Sequence, residues 1–339
     1  MSPAPLDLPL AAWPDWFAAR GGRPFHGRSA ARWLFRRGAR SWEEMSDLPA
    51  GLRRRLAAAG PPLTSVVERE AAAGDGARKL LLRFPDGAAV ECVWMPGSRG
   101  RTLCLSTQVG CPIRCRFCAS GADGLERNLA AGEILEQALQ VRARGSFERL
   151  VVMGMGDPGL NLEATLAALD TLLDPAGGGL SARRVTVSTV GPRGALERLA
   201  AWGRPVTLAL SLHAPDDELR AELVPGGRRP VAELLAEADA LFAAHGREYT
   251  VEYVLLAGVN DRPEQAEALA RLLRGRRCHA NLIPYNPVPG LGYRRPVPAE
   301  QRAFAARLRR AGISVTLRRS LGRAAEAACG QLRRRTLPC

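Results

Sequence analysis

Three cysteines lie within eight consecutive positions of the chain. Cys111, Cys115 and Cys118 have the spacing C-x3-C-x2-C in the segment "GCPIRCRFCASG", residues 110–121. A structural zinc site is normally closed by four ligands, so three cysteines leave such a site one ligand short. A [4Fe–4S] cluster has four irons, and three cysteines would leave one iron open to a small molecule. The spacing therefore favours a cluster with one open coordination position.

A zinc ion with a distant fourth ligand, such as Cys104 or a histidine, is the main alternative for this segment. Unligated buried cysteines fit less well, because Arg114 and Arg116 lie between the three thiols. The chain has eight cysteines in all. An intracellular chain is not expected to use them as a structural disulfide framework, so their clustering indicates metal binding or redox catalysis.

Short apolar runs alternate with helical patterns from about residue 101 onward. Helical patterns such as residues 130–145 and 262–276 separate most of these runs. The predicted strands cover residues 102–109, 149–156, 183–190, 205–212, 248–256, 279–286 and 312–319. Alternation of strands and helices predicts a parallel α/β fold, and six or so units suit an open or partial barrel.

Polar and glycine residues gather where the predicted strands end. In folds of this class, functional groups collect at the carboxyl ends of the strands. The four groups are Gly154-Met155-Gly156-Asp157, Ser188-Thr189, Ser211-Leu212-His213 and Pro284-Tyr285-Asn286-Pro287. The sequence therefore predicts a site at this end of the barrel, beside the cysteine segment.

The chain before the predicted barrel divides into two further regions. Residues 1–60 are predicted to be helical, with Ser41 as a helix N-cap and Glu44 completing a capping box. Residues 64–95 predict two strands joined by a turn at Pro85-Asp86-Gly87. We therefore expect a helical domain over 1–60, a β-hairpin linker region over 61–100 and the barrel over 101–339.

The chain of 339 residues carries a formal net charge of +14. Such an excess of cations suggests a polyanionic partner such as RNA. Lys79 is the only lysine, so the other 47 of the 48 basic residues are arginine. A GC-rich coding bias is an alternative explanation for that composition. The arginines of residues 1–60 fit either a solvated helix face or an RNA-contacting surface.

The chain has no sequence signal for a membrane or for secretion. No run of about 18 apolar residues is present, so no membrane span is expected. The N-terminus lacks a basic segment followed by an apolar one. These features predict a cytoplasmic protein, with a monomer as the default oligomeric state.

The cysteine spacing, with Phe117 before the last cysteine, resembles the radical S-adenosylmethionine (SAM) superfamily. Over nearly the whole chain the sequence resembles the RlmN/Cfr group of RNA adenine methyltransferases. The matching segments, in family order, are "RTLCLSTQVGCPIRCRFCASG", "ERNLAAGEILEQ", "VVMGMGDP", "VTVSTVG", "LALSLHA", "YVLLAGVND", "NLIPYNPVPG" and "AACGQL". The resemblance implies a partial (β/α)6 radical SAM barrel, with a [4Fe–4S] cluster on Cys111, Cys115 and Cys118 and an N-terminal helical accessory domain that binds RNA.

The resemblance also implies roles for three residues outside the cluster. Cys329 in "AACGQL" matches the cysteine that carries the methyl group as S-methylcysteine. Cys104 matches the thiol that resolves the protein–RNA adduct through a disulfide bond with Cys329. Glu91 matches the general base that removes the proton from C2 of adenine. The resemblance further implies that two SAM molecules are used per turnover, one as methyl donor and one as radical source.

The SAM-binding residues implied by the same resemblance lie at the strand ends. They are Gly156, Asp157, Ser188, Ser211, Leu212, His213 and Asn286. The family has glutamate where this chain has Asp157, so the contact with the amino group of SAM is expected to be looser or water-mediated. It also has an acid and an isoleucine where this chain has Ala324 and Ala325, in the segment that carries Cys329.

The implied substrate is C2 of adenosine 2503 in the peptidyl-transferase centre of 23S rRNA, with adenosine 37 of tRNA as a second candidate. An adenine-C8 methyltransferase of the same group uses the same cysteines and is the first alternative. A diverged, non-catalytic iron–sulfur RNA-binding protein is the second. An electron donor such as flavodoxin is the expected protein partner.

Overall fold

A computed structural model describes residues 4–97, 100–318 and 331. In this part of the chain, ten strands form one sheet in the order β1-β2-β3-β4-β7-β8-β9-β10-β11-β12, and β5 and β6 form a separate hairpin. The strands are β1 (Val66–Ala72), β2 (Arg78–Arg83), β3 (Ala89–Met95), β4 (Thr102–Cys104), β5 (Gln108–Gly110), β6 (Leu125–Asn128), β7 (Arg149–Val152), β8 (Val185–Thr189), β9 (Thr207–Ser211), β10 (Tyr249–Leu255), β11 (Cys278–Pro284) and β12 (Ser314–Leu317).

Ten α-helices are present in the same described residues. They are α1 (Trp13–Ala18), α2 (Pro24–Arg32), α3 (Ala50–Ala59), α4 (Ala131–Arg142), α5 (Leu162–Leu173), α6 (Ala195–Ala201), α7 (Asp217–Leu223), α8 (Val231–His245), α9 (Pro263–Leu273) and α10 (Pro298–Arg310). Among them, none has the length and the apolar composition that crossing a membrane requires.

The strands from β4 to β12 in the main sheet are all parallel. Helices α4, α5, α6, α8, α9 and α10 connect successive strands, as parallel strands require crossover connections. The predicted partial (β/α)6 barrel is confirmed, with β12 as a seventh parallel strand at the open edge. The predicted helices over 130–145 and 262–276 are also confirmed, as α4 and α9.

An antiparallel meander extends the barrel sheet. Strands β1, β2 and β3 pair in sequence, and β3 pairs with β4. The predicted turn is present, with Phe84 N donating to Ala88 O at 2.9 Å and Gly87 at φ +85°. Only two strands were predicted here, which was wrong because β1 is a largely exposed edge strand whose charged residues hide any alternation.

The single strand predicted over 102–109 is also wrong. The barrel strand ends at Cys104, and the chain then turns into the β5–β6 hairpin. At Ser106 the side-chain amide of Gln137 makes the hydrogen bonds that a neighbouring strand would otherwise make. Gln137 Oε1 accepts from Ser106 N, and Gln137 Nε2 donates to Ser106 O, both at 2.8 Å. A side chain from a helix thus ends a strand whose sequence continues to look extended.

The N-terminal helices pack around aromatic residues, with Trp13, Phe17, Phe35 and Trp42 all buried. The predicted helix start at Ser41 is wrong. Glu44 Oε1 does accept hydrogen bonds from Arg40 N and Ser41 N, but the segment forms turns, and helix α3 begins at Ala50. Pro49 explains the delay, because the residue before a proline avoids the helical conformation.

The strand register places one set of side chains on the same side of the sheet, the side of Ser188 and Ser211, which we call the inner face. Directly paired residues point to the same side, and so do residues two apart on one strand. Following the pairs across the sheet gives Lys79, Leu81, Glu91, Val93, Cys104, Val151, Thr186, Ser188, Ala209, Ser211, Glu252, Asn281 and Thr316. The inner face therefore joins the meander to the strand ends of the barrel.

Candidate active site

The three clustered cysteines line one pocket at the carboxyl ends of the barrel strands. They lie on the loop that follows β5. Cys111 N donates to Gly124 O at 2.9 Å, and Cys118 N donates to Cys115 O at 3.1 Å, which folds the loop back on itself. Arg114 takes the rare left-handed conformation at φ 56°, which turns the chain between the first two thiols. The loop thus brings all three cysteines to one wall of the pocket.

The cysteine loop is fixed to the segment after helix α7. Arg116 N donates to Leu223 O at 3.0 Å, and Gly226 N donates to Ile113 O at 2.9 Å. A Cβ atom at Gly226 would lie 2.6 Å from the Cα of Ile113, so the contact requires glycine. Ile113 and Phe117 are buried in an apolar cluster with residues of this segment. The position of the thiols is therefore set by packing against the barrel.

Burial disfavours the ionised, thiolate form of these cysteines when no metal is bound. It raises the pKa of Cys111 to about 12 and raises the pKa of Cys115 well above its ordinary value, and neighbouring thiols raise both further. A metal ligand must be deprotonated, so three thiolates need bound cations to offset their charge. In the described residues, no three His, Cys, Asp or Glu side chains converge as a single ion requires. Three thiolates match the protein ligand set of a [4Fe–4S] cluster in which one iron is left open.

A buried arginine stands behind the pocket. Arg220 is 1% exposed, and its guanidinium donates to the carbonyls of Gly227, Val190 (2.9 Å) and Ser211 (3.5 Å). Burial lowers the pKa of Arg220 to about 10, against the favourable charges of Cys115 and Asp157. Arg220 therefore stays charged at neutral pH and places a cation near the cysteine loop.

Replacing Arg220 with methionine is expected to lower the free energy of unfolding of the metal-free protein by about 2–4 kcal/mol, because three strand-end and loop carbonyls lose a charged donor. Chemical denaturation measures this loss. Arg198→Met is the matched control, since its ion pair with Glu163 is exposed and should change stability by less than about 0.5 kcal/mol. Equal stability of the two variants would contradict the structural role of Arg220.

Most of the predicted SAM-binding residues share the pocket with the cysteines. Gly156, Asp157, Ser188, Ser211, His213 and Asn286 all line it. Ser188 Oγ and Ser211 Oγ lie 3.1 Å apart on neighbouring strands. Leu212 does not line the pocket, because its side chain is fully buried in the core. Only the backbone of Leu212 is available at this strand end, and its N–H donates to Glu252 O at 3.1 Å.

The carboxylate of Asp157 connects two strand ends. Oδ1 accepts from Gly159 N at 2.8 Å and from Thr189 Oγ1 at 2.6 Å, and Oδ2 accepts from Val190 N at 2.7 Å. Burial raises the pKa of Asp157, and these hydrogen bonds act in the opposite direction. The shorter side chain is thus engaged by the protein itself, although Oδ2, which accepts one hydrogen bond, retains a lone pair for a further donor.

Gly156 cannot be replaced without moving its neighbours. Its φ is +93°, and a Cβ atom there would lie 2.6 Å from Gln108 Cβ. The backbone N–H of Asp157 donates to Gln108 Oε1 at 2.9 Å, which holds this turn against β5. The glycine therefore lets the loop after β7 approach the cysteine hairpin closely.

His213 is a neutral histidine, and its hydrogen bond indicates which ring nitrogen carries the proton. Its Nδ1 accepts from Val254 N at 3.2 Å, and its ring lies edge-on to Phe117 at 4.9 Å between centroids. Burial lowers the pKa of His213 to about 3. Because Nδ1 accepts, the proton of the neutral ring is on Nε2, which is a hydrogen-bond donor. His213 thus offers the site a neutral N–H donor.

Glu252 on β10 is a pocket residue that the sequence analysis missed. It is 4% exposed, and its carboxylate accepts from Thr250 Oγ1 at 2.8 Å and from Asn281 Nδ2 at 2.6 Å. Burial raises the pKa of Glu252, whereas Arg318, which also lines the pocket, lowers it. The signal in the sequence was a carboxylate inside a mostly apolar strand, whereas its inner-face position follows only from the strand register.

Glu91 and Cys104 do not line the pocket, although both are buried on the inner face. The pair Val93–Cys104 and the two-residue step from Val93 to Glu91 put them on the same side of the sheet. Glu91 also contacts the strand-end region, because Ser106 Oγ donates to Glu91 O at 2.6 Å and Glu91 N donates to Met155 Sδ at 3.4 Å.

Cys329, Ala324 and Ala325 lie outside the described residues. Gln331, two positions after Cys329, is described, and its Nε2 donates to Pro287 O at 3.0 Å. Pro287 directly follows the pocket residue Asn286. The chain just beyond Cys329 therefore contacts the rim of the pocket.

Comparison with sequence families gives two matches. The model described as "Radical SAM superfamily" matches residues 105–273, which include the cysteine loop. The model described as "Ribosomal RNA large subunit methyltransferase N-terminal domain" matches residues 6–60.

Individual relatives match over nearly their whole length. The chain is 48% identical to "Probable dual-specificity RNA methyltransferase RlmN" of Rhodopirellula baltica, over 97% of this chain and 90% of that protein. It is 45% identical to the protein of the same name from Pelotomaculum thermopropionicum, over 97% and 91%. A crystal structure of a radical SAM methyltransferase from Sphaerobacter thermophilus is 43% identical, covers 97% of this chain and 98% of its own, and superposes with a TM-score of 0.94.

Proposed function

The chain belongs to the RlmN family of radical SAM RNA methyltransferases, and we propose that it methylates C2 of adenosine 2503 in 23S rRNA, with adenosine 37 of tRNA as a second substrate. The observation that supports this best is the shared pocket. Cys111, Cys115 and Cys118 line it together with six of the seven predicted SAM-binding residues. The proposed cluster ligands and the proposed SAM-binding residues thus share one pocket.

The three cysteines would hold a [4Fe–4S] cluster, and the strand-end residues would hold SAM against it. When bound, the cluster supplies the electron that cleaves SAM to a 5′-deoxyadenosyl radical. His213 Nε2–H, Ser188 and Ser211 would donate to oxygens of SAM, and Asp157 would accept from its amino group. Apolar lining residues such as Ile113, Phe117 and Val254 would limit the access of water to a radical formed there.

Cys329 is proposed to carry the methyl group, because C2 of adenine is not nucleophilic enough to attack SAM. A first SAM methylates the Cys329 thiolate, and the radical from a second SAM removes one hydrogen atom from that methyl group. The carbon radical adds to C2, and the adduct radical passes one electron to an oxidised electron-transfer protein such as flavodoxin, which leaves a thioether between Cys329 and the base. The contact of Gln331 with Pro287 supports this role, because Gln331 is two positions after Cys329 in the sequence and Pro287 directly follows the pocket residue Asn286.

Glu91 and Cys104 are proposed to release the product. Glu91 removes the proton from C2, and the Cys104 thiolate attacks the sulfur of Cys329. The S–S bond forms as the C–S bond breaks, and the released carbon takes up a proton to become the methyl group. Their common place on the inner face supports this division of work. The disulfide must then be reduced before the next turnover.

The charge of the chain agrees with an RNA substrate. The net charge of +14 favours binding to phosphates, and the N-terminal helices match the rRNA-methyltransferase accessory domain over residues 6–60. We place the monomeric enzyme in the cytoplasm, where rRNA and tRNA are found, with a small electron-transfer protein such as flavodoxin as the reductant.

The proposal is tested by anaerobic reconstitution with iron, sulfide, SAM, a reductant and 23S rRNA, followed by mass spectrometry of the digested RNA. The expected product is 2-methyladenosine. A product containing only 8-methyladenosine would reverse the assignment of the carbon. If RNA binds but neither 5′-deoxyadenosine nor methylated RNA forms, the chain is a non-catalytic RNA-binding protein.

A further inference from the structure

The only lysine of the chain is half of a buried ion pair. Lys79 is the exception among 48 basic residues, of which the other 47 are arginine. Its Nζ lies 2.9 Å from Oε1 of Glu91, and the two side chains are 13% and 4% exposed. In a chain that uses arginine almost everywhere a cation is needed, the one lysine thus contacts the proposed general base.

The register explains why the two side chains meet. Lys79 on β2 pairs directly with Val93 on β3, and Glu91 lies two residues before Val93 on the same face. Diagonal neighbours of this kind are within reach of a long side chain. Leu81, which pairs with Glu91, is buried beside them. The pair therefore lies between apolar residues, where solvent screens the attraction between the two charges only weakly.

Other titratable groups near Glu91 come from each adjoining element. Strand β4 contributes the thiol of Cys104 on the same face, and β3 contributes Cys92 on the opposite face. Burial raises the pKa of Cys92, and the nearby Cys104 raises it further. Arg144 lowers this pKa, and Glu91 raises it. Ser106, which follows β4, and Met155, which follows β7, contact the backbone of Glu91, and neither has a side chain that titrates between about pH 5 and pH 9. In this part of the described chain, Lys79 contributes the cation in direct contact with Glu91.

We propose that Lys79 is a positioning residue that keeps the Glu91 carboxylate ionised and oriented toward the inner face during product release. The inference rests on the proposed function, because it requires Glu91 to act as the base. A buried carboxylate without a counter-charge tends to take up a proton, and a protonated Glu91 cannot accept the proton from C2. The Lys79 charge would thus set the pH range over which the adduct is resolved.

The test compares Lys79→Gln with Lys79→Arg. Both keep a hydrogen-bond donor beside Glu91, but only arginine keeps the charge. The rate at which the covalent RNA adduct decays to methylated RNA is measured in single turnover between about pH 5 and pH 9. With glutamine, the half-maximal pH should rise by about 1–3 units, since an adjacent cation favours ionisation by that amount. With arginine, the half-maximal pH should match the wild type.

Two controls separate the possible failures. Arg78→Gln removes a cation from the neighbouring position of β2, where the partner is Glu70, and should leave the profile unchanged. Glu91→Gln should block adduct decay at every pH; if it does not, the base assignment fails, whatever Lys79 does. An unchanged profile in Lys79→Gln, or an equal shift in both lysine variants, would overturn the proposal. If only Lys79→Arg folds, a shifted profile in that variant overturns it.

Discussion

Replacing Cys115 with alanine is expected to reduce 5′-deoxyadenosine formation to background. Even residues that only support metal ligands change affinity or activity by roughly 10–100-fold, so loss of a direct ligand should cost more than about 100-fold. Cys115 lies between the other two thiols in sequence and lines the same pocket. Iron and acid-labile sulfide per chain, together with 5′-deoxyadenosine yield, measure the effect after anaerobic reconstitution.

Cys278→Ala is the matched control for this experiment. Cys278 is buried at the start of β11, at the opposite end of that strand from the pocket residues. Its loss should change stability slightly and leave the iron content unchanged. Full iron loading and SAM cleavage by Cys115→Ala would show that the loop does not hold the cluster.

Replacing Cys104 with alanine is expected to trap the protein on its RNA. The variant can still form the thioether between Cys329 and the base, but it lacks the thiol that attacks the Cys329 sulfur. A covalent protein–RNA species should therefore accumulate toward one per chain, and free methylated RNA should fall by more than about 100-fold, as for loss of other catalytic nucleophiles. A denaturing gel and ribonuclease-resistant mass on the protein measure the two species.

Cys92→Ala controls for the loss of a thiol in the same region. Cys92 is on the next strand but faces the other side of the sheet, because it pairs with Leu80 rather than Leu81. Burial holds its pKa far above neutrality, so it is a poor nucleophile that should not replace Cys104. Normal product release by Cys104→Ala, or adduct accumulation in Cys92→Ala, would contradict the assigned roles.

The sequence predicted the parts of the fold in which pattern and chemistry agree. Apolar runs in a strand–helix alternation predicted the parallel barrel, and polar residues at the strand ends predicted which side would carry the site. The spacing of Cys111, Cys115 and Cys118 predicted a common ligand set. These features are local in sequence, so they depend little on distant contacts.

The errors concern positions that distant contacts determine. Gln137, 31 residues after Ser106, ends a strand that its own sequence would continue. The late start of the helix predicted from Ser41 and Glu44 is the exception, because its cause, Pro49, is local in sequence. The place of Glu252 in the pocket and the Lys79–Glu91 pair depend on register across neighbouring strands. No spacing along one segment contains that information.

The central claim is that the methyl group passes through Cys329, and the most direct test uses SAM with a fully deuterated methyl group. The proposed route removes one deuterium from S-methylcysteine and later adds one hydrogen, so 2-methyladenosine should retain two deuterium atoms. Cys329→Ala should yield no methylated RNA. Retention of all three deuterium atoms, or formation of 2-methyladenosine by Cys329→Ala, would contradict the carrier mechanism.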